Sequence, residues 1–396
     1  MRILAAWNDA AEAELLGLYL NLDKNQFVVA PDATTCLEQV RAQDWDVVLL
    51  SLTFPDIDAA YELFQQIRRL QPGCPIVGAC FPQEVFQLAR FMTNGLRSYI
   101  LRDEVGDYLF LVHVTLENTV AAVMAEREQK LAEKLREEIE SVRKIQETFI
   151  PKNLEAPAGY QVAARYEPSQ IQVVGGAPVV LAGGDYYDVF KINDQSLVLL
   201  VGDASGHGMK ACMSIMIMHT LVRMIRSTLY MDTAAFVAEI NKHLCSQTIV
   251  QQEGGFITLL YGVLNRETNE FRWTSAGHPM PLLHDLQQEC IQQIGDHEKS
   301  GLPLGIYEEA DYETCSCILP PHSKLLLFTD GLVEAFPTHR QEGHSEFGVQ
   351  GIFSTMYQSA DLSPLKTLDA LFDASHAFTE GSGRHDDTSI VVLSRD

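Results

Sequence analysis

Basic residues are scarce in this chain: Lys and Arg total 29 against 53 Asp and Glu, a formal net charge of −24 over 396 residues. Nucleic acid and anionic membrane surfaces both demand a basic footprint, so neither is expected as the main partner. Long hydrophobic runs are missing too. No stretch of about 18 apolar residues occurs, which predicts no membrane-spanning helix. The opening Met1-Arg2-Ile3-Leu4-Ala5-Ala6-Trp7 enters a strand-like pattern and lacks the regions and cleavage site of a signal peptide. The eight cysteines contain no Cys-x-x-Cys pair. That argues against a zinc site and a disulfide framework, and favours buried free thiols in a reducing cytoplasm. A hydrophobic share of 46% with 21% charged residues excludes a disordered or fibrous chain.

The length allows two or three domains. Residues 1–112 alternate short apolar runs (Arg2-Ala6, Gln26-Ala30, Val47-Leu52, Pro75-Ala79, Ser98-Leu101) with helical patterns such as Ala10-Leu20 and Ala59-Leu70. Five strands alternating with helices predict a doubly wound parallel sheet. The run Val47-Val48-Leu49-Leu50 is apolar without alternation, as a strand covered on both faces should be.

Residues 113–150 hold no Gly or Pro before Pro151 once the strand pattern ends, and are rich in Glu, Lys, Arg, Ala and Leu. They predict one long helical linker of roughly 50 Å. Leu131, Leu135, Val142, Ile145 and Phe149 follow a heptad-like spacing broken by Glu138. A two-stranded coiled coil, and with it a homodimer, is one reading; an amphipathic helix lying on its own domain is the other.

Residues 151–396 are richer in strand patterns, interrupted by helical patterns at Lys210-Arg226 and Thr233-Gln247 and by two more before the last strand. They predict a layered sandwich on antiparallel sheets. Within them lie four acidic stretches: Gly183-Gly184-Asp185-Tyr186-Tyr187-Asp188, Gly202-Asp203-Ala204-Ser205-Gly206-His207-Gly208, Thr329-Asp330-Gly331 and His385-Asp386-Asp387-Thr388. Three adjoin apolar runs that read as strands. Carboxylates at strand ends, with glycine allowing close backbone approach, are what a hard divalent metal requires. Asp185, Asp203, Asp330 and Asp386 are the candidate ligands, with the backbone carbonyl of Ala204 as a further oxygen. Asp188 and Asp387 stand close enough in sequence to accept hydrogen bonds from water around the metals. Two Mn²⁺ or Mg²⁺ ions in such a site can clamp phosphoryl oxygens and offset developing charge.

The N-terminal segment resembles the receiver domain of bacterial response regulators. Asp46-Val47-Val48-Leu49-Leu50 looks like the family's third strand and Phe54-Pro55-Asp56 like the loop after it. Ser51 occupies the phosphoacceptor aspartate's place, Trp7 and Asn8 replace the acidic pair, Cys80 the switch Ser/Thr, and Arg102 the lysine. A serine hydroxyl cannot form an acyl phosphate, so the resemblance implies a degenerate receiver.

From about residue 140 the chain resembles the PPM family of metal-dependent protein serine/threonine phosphatases, in its bacterial SpoIIE-like branch. The ordered acidic stretches carry the resemblance, with Phe256-Ile257-Thr258, Ser275-Ala276-Gly277-His278-Pro279, Pro303-Leu304-Gly305 and the lead-in Arg143-Lys144-Ile145-Gln146-Glu147-Thr148-Phe149-Ile150-Pro151. It implies an α-β-β-α sandwich, with Asp203 bridging two metals and Asp185, Asp330 and Asp386 completing the set. It also implies a phosphoprotein substrate of the anti-sigma-factor-antagonist kind. His207 is a candidate general acid, or a loop histidine that packs; His278 reads as structural. Residues 169–182 form a stretch longer than the family usually has, and Asn265 stands where an aspartate is common. The competing expectation is a non-catalytic signalling scaffold.

Overall fold

The computed structural model describes residues 1–21, 25–171, 179–180, 183–206, 208–247, 255–337, 346–379 and 386–396. The chain divides into two compact units, Met1–Leu135 and Arg136–Asp396.

In the first unit, β1 (Arg2–Ala6), β2 (Gln26–Ala30), β3 (Val47–Ser51), β4 (Ile76–Cys80) and β5 (Ser98–Leu101) pair in parallel in the order β2-β1-β3-β4-β5. Helices α1 (Ala10–Leu20), α2 (Ala33–Ala42), α3 (Ile57–Leu70) and α4 (Leu88–Thr93) connect them. Asp9, Asp32 and Asp56 each cap the helix that follows by accepting backbone N–H bonds, which fixes where α1, α2 and α3 start. Every residue of β3 is buried because its two faces feed different cores. Val48 and Leu50 pack with α2 and α3 residues such as Val40 and Phe64, while Val47 and Leu49 pack with Leu16, Val112 and Leu116.

Helix α5 runs unbroken over Leu109–Phe149, so the boundary expected at residue 112 falls inside it. By length and composition alone α5 is long and apolar enough to cross a membrane, which run length had not suggested. Its Leu109, Val112 and Leu116 are buried in the first unit's core. Residues 131–138 are exposed on every side.

The second unit contains two antiparallel five-stranded sheets. One orders β15 (Cys315–Ile318), β12 (Glu270–Ala276), β11 (Ile257–Asn265), β10 (Ser196–Ala204) and β9 (Asp185–Asn193); the other orders β14 (Cys290–Gln293), β13 (Leu282–Asp285), β16 (Ser323–Phe328), β17 (Thr388–Arg395) and β6 (Tyr160–Glu167). A short ribbon pairs β7 (Gln170–Ile171) with β8 (Val179–Val180); the rest of the 169–182 stretch, Ser169 apart, lies outside the described residues. Leu197, Leu199 and Val201 of one sheet share a core with Leu325, Leu327 and Val391 of the other. Alternate residues of β10 and β11, such as Val198, Leu200 and Leu259, pack with α6 (Met209–Leu229) and α7 (Thr233–Cys245). On the other sheet Leu326, Ile390 and Val392 pack with α9 (Gly348–Gln358) and α10 (Pro364–Phe378). A one-turn helix, α8 (Asp330–Val333), follows β16 directly.

Strands β9 and β14 carry no clear apolar run. The acidic, aromatic sequence Asp185-Tyr186-Tyr187-Asp188 holds β9 because its alternate side chains enter two different cores, Tyr186 toward α6 and Tyr187 between the sheets.

Candidate metal centre

The hairpin of β9 and β10 sets Asp185 directly opposite Asp203. Side chains on opposed residues of antiparallel strands sit about 5 Å apart, and like charges there repel. Asp330 begins α8 at the end of β16, and Asp386 and Asp387 lie just before β17, the neighbour of β16. Four strand ends thus bring five carboxylates together.

Glycine makes the approach possible. A Cβ on Gly184 would stand 2.7 Å from the Ala204 carbonyl oxygen and 3.1 Å from Asp203 Oδ1, and one on Gly331 would collide with the Asp387 carbonyl oxygen. Asp387 accepts hydrogen bonds from the backbone N–H of Ser169 at 2.7 Å and of Gly184 at 2.6 Å, so it anchors the loop entering β9. The Thr329 hydroxyl donates to Asp185 Oδ2 at 2.7 Å and accepts from the Ser389 N–H at 2.8 Å, fixing Asp185 to β17.

Among the described residues, no cation offsets the charge of this cluster. Burial, then the facing Asp203 and Asp387, pushes the Asp185 carboxyl well above its ordinary range. Asp203 is pushed up to about 8 by burial and by Asp330, Asp386 and Asp387. Asp386 rises to about 6, with burial the leading cause, and burial raises Asp330 and Asp387 as well. Among the described residues no Lys or Arg forms an ion pair with any of the five; the nearby Arg165 and Arg223 pair elsewhere. Five carboxylates with no countercharge among the described residues fit divalent cations. Among the described residues no three His, Cys, Asp or Glu side chains already stand around one common point, so the fit is one of charge and donor type rather than a finished cage.

One expected residue behaves differently. Asp188 lies on the opposite face of β9 from Asp185, ion-paired to Arg223 of α6 at 2.7 Å and accepting from the Tyr186 hydroxyl at 3.0 Å. Three positions along a strand reverse the face, so its sequence proximity to Asp185 does not bring it to the acidic cluster. His207 lies outside the described residues. His278 is 4% exposed, with Nδ1 accepting from the Thr258 hydroxyl at 2.9 Å and Nε2 donating to the Phe328 carbonyl at 3.1 Å. Neither ring nitrogen is left for a metal. The imidazole ties β11 to the end of β16, two residues before Asp330.

Gln146, near the end of α5, was not singled out by motif reading. Its amide forms a two-way clamp on the backbone of Gly183, donating to the carbonyl at 3.0 Å and accepting from the N–H at 2.9 Å. It is 2% exposed. A buried glutamine in a helix rich in charged residues was the available signal. In the first unit, Ser51 is buried and accepts from Arg102 Nη1 at 3.2 Å. Arg102 is ion-paired to Glu12, which also accepts from Trp7 Nε1 at 3.0 Å and from the Tyr108 hydroxyl at 3.1 Å. Glu12 too was missed, because an exposed-looking helix position carries no motif.

Comparison with known proteins starts from the second unit. A sequence profile of the family described as Stage II sporulation protein E (SpoIIE) matches residues 193–396, more than half of the chain. The chain belongs to the SpoIIE family. Among its relatives is Protein IcfG of Synechocystis sp., 24% identical over 318 residues that make up 74% of this chain and 46% of IcfG. The chain therefore spans less than half of that relative. Phosphoserine phosphatase RsbU of Bacillus subtilis is 24% identical over 258 residues, 64% of this chain and 70% of RsbU. Among solved structures, the SiaA-PP2C domain of Pseudomonas aeruginosa superposes with a TM-score of 0.53 at 18% identity, covering 69% of this chain and all of that domain. The RsbU and RsbW domains of Rv1364c from Mycobacterium tuberculosis give 0.50 at 23% identity, covering 62% of this chain and 63% of that one. These structural likenesses concern the fold: mixed α/β with antiparallel sheets in the C-terminal region.

Proposed function

We propose that this SpoIIE-family protein is a metal-dependent protein phosphatase of bacterial signalling that hydrolyses phosphoserine or phosphothreonine on a partner protein. The observation that carries the reading is the pairing of Asp185 with Asp203, beside Asp330 and Asp386, with no compensating cation among the described residues. The core clusters on both faces of both sheets support the α-β-β-α sandwich reading. Asp185, Asp203, Asp330, Asp386 and the Ala204 carbonyl would hold Mn²⁺ or Mg²⁺, two ions per site. When bound, such ions supply charge neutralisation and Lewis-acid polarisation of a phosphoryl group. The protein's own part is positioning: Thr329 orients Asp185, Asp387 holds the Gly184 loop, and His278 fixes the strand end that presents Asp330.

Similarity to RsbU, a phosphoserine phosphatase, supports the reaction class, and the same likeness suggests an anti-sigma-factor antagonist as substrate. The N-terminal unit we take as a degenerate receiver: its strand order β2-β1-β3-β4-β5 is that of doubly wound domains, and Ser51 beside Arg102 offers no carboxylate to phosphorylate. Eight free thiols fit a cytoplasmic setting. The Gln146 clamp supports regulation through α5, because moving the helix end would disturb the Gly183–Asp185 loop.

The test is release of phosphate from a generic phosphomonoester with Mn²⁺ or Mg²⁺ present. Asp203→Asn should lower turnover by about a hundredfold or more, the scale of losing charge stabilisation in a transition state. Undiminished turnover in that variant, or in chelator, sinks the assignment. If instead millimolar metal fails to bind in calorimetry, the scaffold reading takes its place.

A further inference from the structure

Four cations gather around one cavity of the first unit. Arg68, Arg97, Arg127 and Lys130 line a single cavity of about 510 Å³ in the first unit, with Glu126 the one acidic residue among its walls. It lies between the loop before β4, the loop before β5 and the turn of α5 carrying Val123 to Lys130. That is the N-terminal edge of the parallel sheet, opposite the edge where Ser51 and Arg102 meet. A second cavity of about 390 Å³ adjoins it, and Arg127, Gly73 and Val123 line both.

The cations are seated, not scattered. Glu126 pairs with Arg97 at 3.0 Å and Lys130 at 2.8 Å, leaving the walls with an excess of three positive charges by count (four cations less one carboxylate). Arg68 and Arg127 have no carboxylate partner among the described residues. Each donates instead to a loop carbonyl, Arg68 to Asn94 and Arg127 to Gly73. Glycine makes room for both: a Cβ on Gly95 would stand 2.8 Å from Arg68 Cζ, and one on Gly73 would strike the Arg127 guanidinium. A guanidinium has five N–H donors in a planar fork, so one carbonyl bond leaves most of them for an anion. Pro72, Pro75, Met92 and Leu96 add an apolar wall.

We propose that this cavity binds a small phosphate-bearing molecule of nucleotide size. Its volume falls within the few hundred to a thousand Å³ typical of ligand sites. Planar guanidinium groups suit phosphate oxygens, and the apolar wall suits a base or similar ring. The chain's net charge of −24 repels anions generally, so a local cationic cavity is selective for its position rather than a product of composition. An anion there would bridge α5 to the loops before β4 and β5. It would act as an input to a domain whose phosphoacceptor position is a serine.

The experiment is calorimetric titration of the full chain with pyrophosphate, AMP, ADP, ATP and adenosine, in chelator so that metal-held phosphate at the acidic cluster is silent. Expected is binding of at least one phosphate-bearing probe, weakened by added salt, with adenosine inert. Nucleotides binding tenfold tighter than pyrophosphate support the nucleotide-sized ligand; parity with pyrophosphate overturns that size and leaves a simple phosphate anion. Lys130→Glu, an exposed rim position, and Arg127→Gln should each weaken binding about tenfold, the scale of one charge-assisted hydrogen bond. Should Arg127→Gln unfold, Lys130→Glu still decides. No binding of any probe at millimolar concentration, or binding unchanged in Lys130→Glu, overturns the proposal. Neither result bears on phosphatase activity.

Discussion

Protonating His278 turns Nδ1 from acceptor to donor, so the Thr258 hydroxyl can no longer donate to it, and it places a charge in a buried site. Burial pushes its pKa down to about 3 from an ordinary value of 6.5. The folded state therefore keeps the ring neutral where the unfolded chain takes up a proton. Its contribution is fully present above about pH 6.5 and is lost as pH falls from there toward 3, the loss reaching about 2 kcal/mol by pH 5. Urea unfolding at pH 8 and pH 5 checks this. The pH-dependent loss should shrink by that amount in His278→Gln, and an equal loss in both proteins removes the argument. At this scale the acidic ligand candidates were legible because glycine stands beside them in short motifs. Gln146 and Glu12 were not, because each works through a partner far away in sequence, at Gly183 and Arg102.

Among the elements, α5 matters most because its last turns touch the loop that leads into Asp185. Gln146→Ala leaves the buried N–H and carbonyl of Gly183 without their partner, a cost of about 1–3 kcal/mol. The expected outcome is weaker Mn²⁺ binding in calorimetry with the fold intact by circular dichroism. Unchanged affinity would uncouple α5 from the site. The helix itself was readable from the lack of Gly and Pro and the richness in good helix formers. Strand β9 was not readable, because Asp185 and Asp188 interrupt any apolar alternation. Its pairing with β10 supplies the backbone bonds that its own composition does not advertise.

For the whole molecule, the dimer is the open quantity. Leu131 and Leu135 are 60% and 55% exposed on a stretch of α5 where residues 131–138 are all exposed, and a second copy of the chain is the proposed cover. Light scattering at micromolar concentration should give twice the mass of 44.2 kDa, and Leu131→Glu with Leu135→Glu should return the monomer. A wild-type monomer ends that proposal. The sequence by itself determined the class of each half and the chemistry on offer. Strand and helix periodicity set the first, and aspartates beside glycines set the second, both being local patterns. Only tertiary structure decided which carboxylates meet. Strand register put Asp185 against Asp203 and turned Asp188 away to Arg223, and it raised the cluster's pKa values by burial. Register and burial depend on contacts between distant segments, which no local pattern contains.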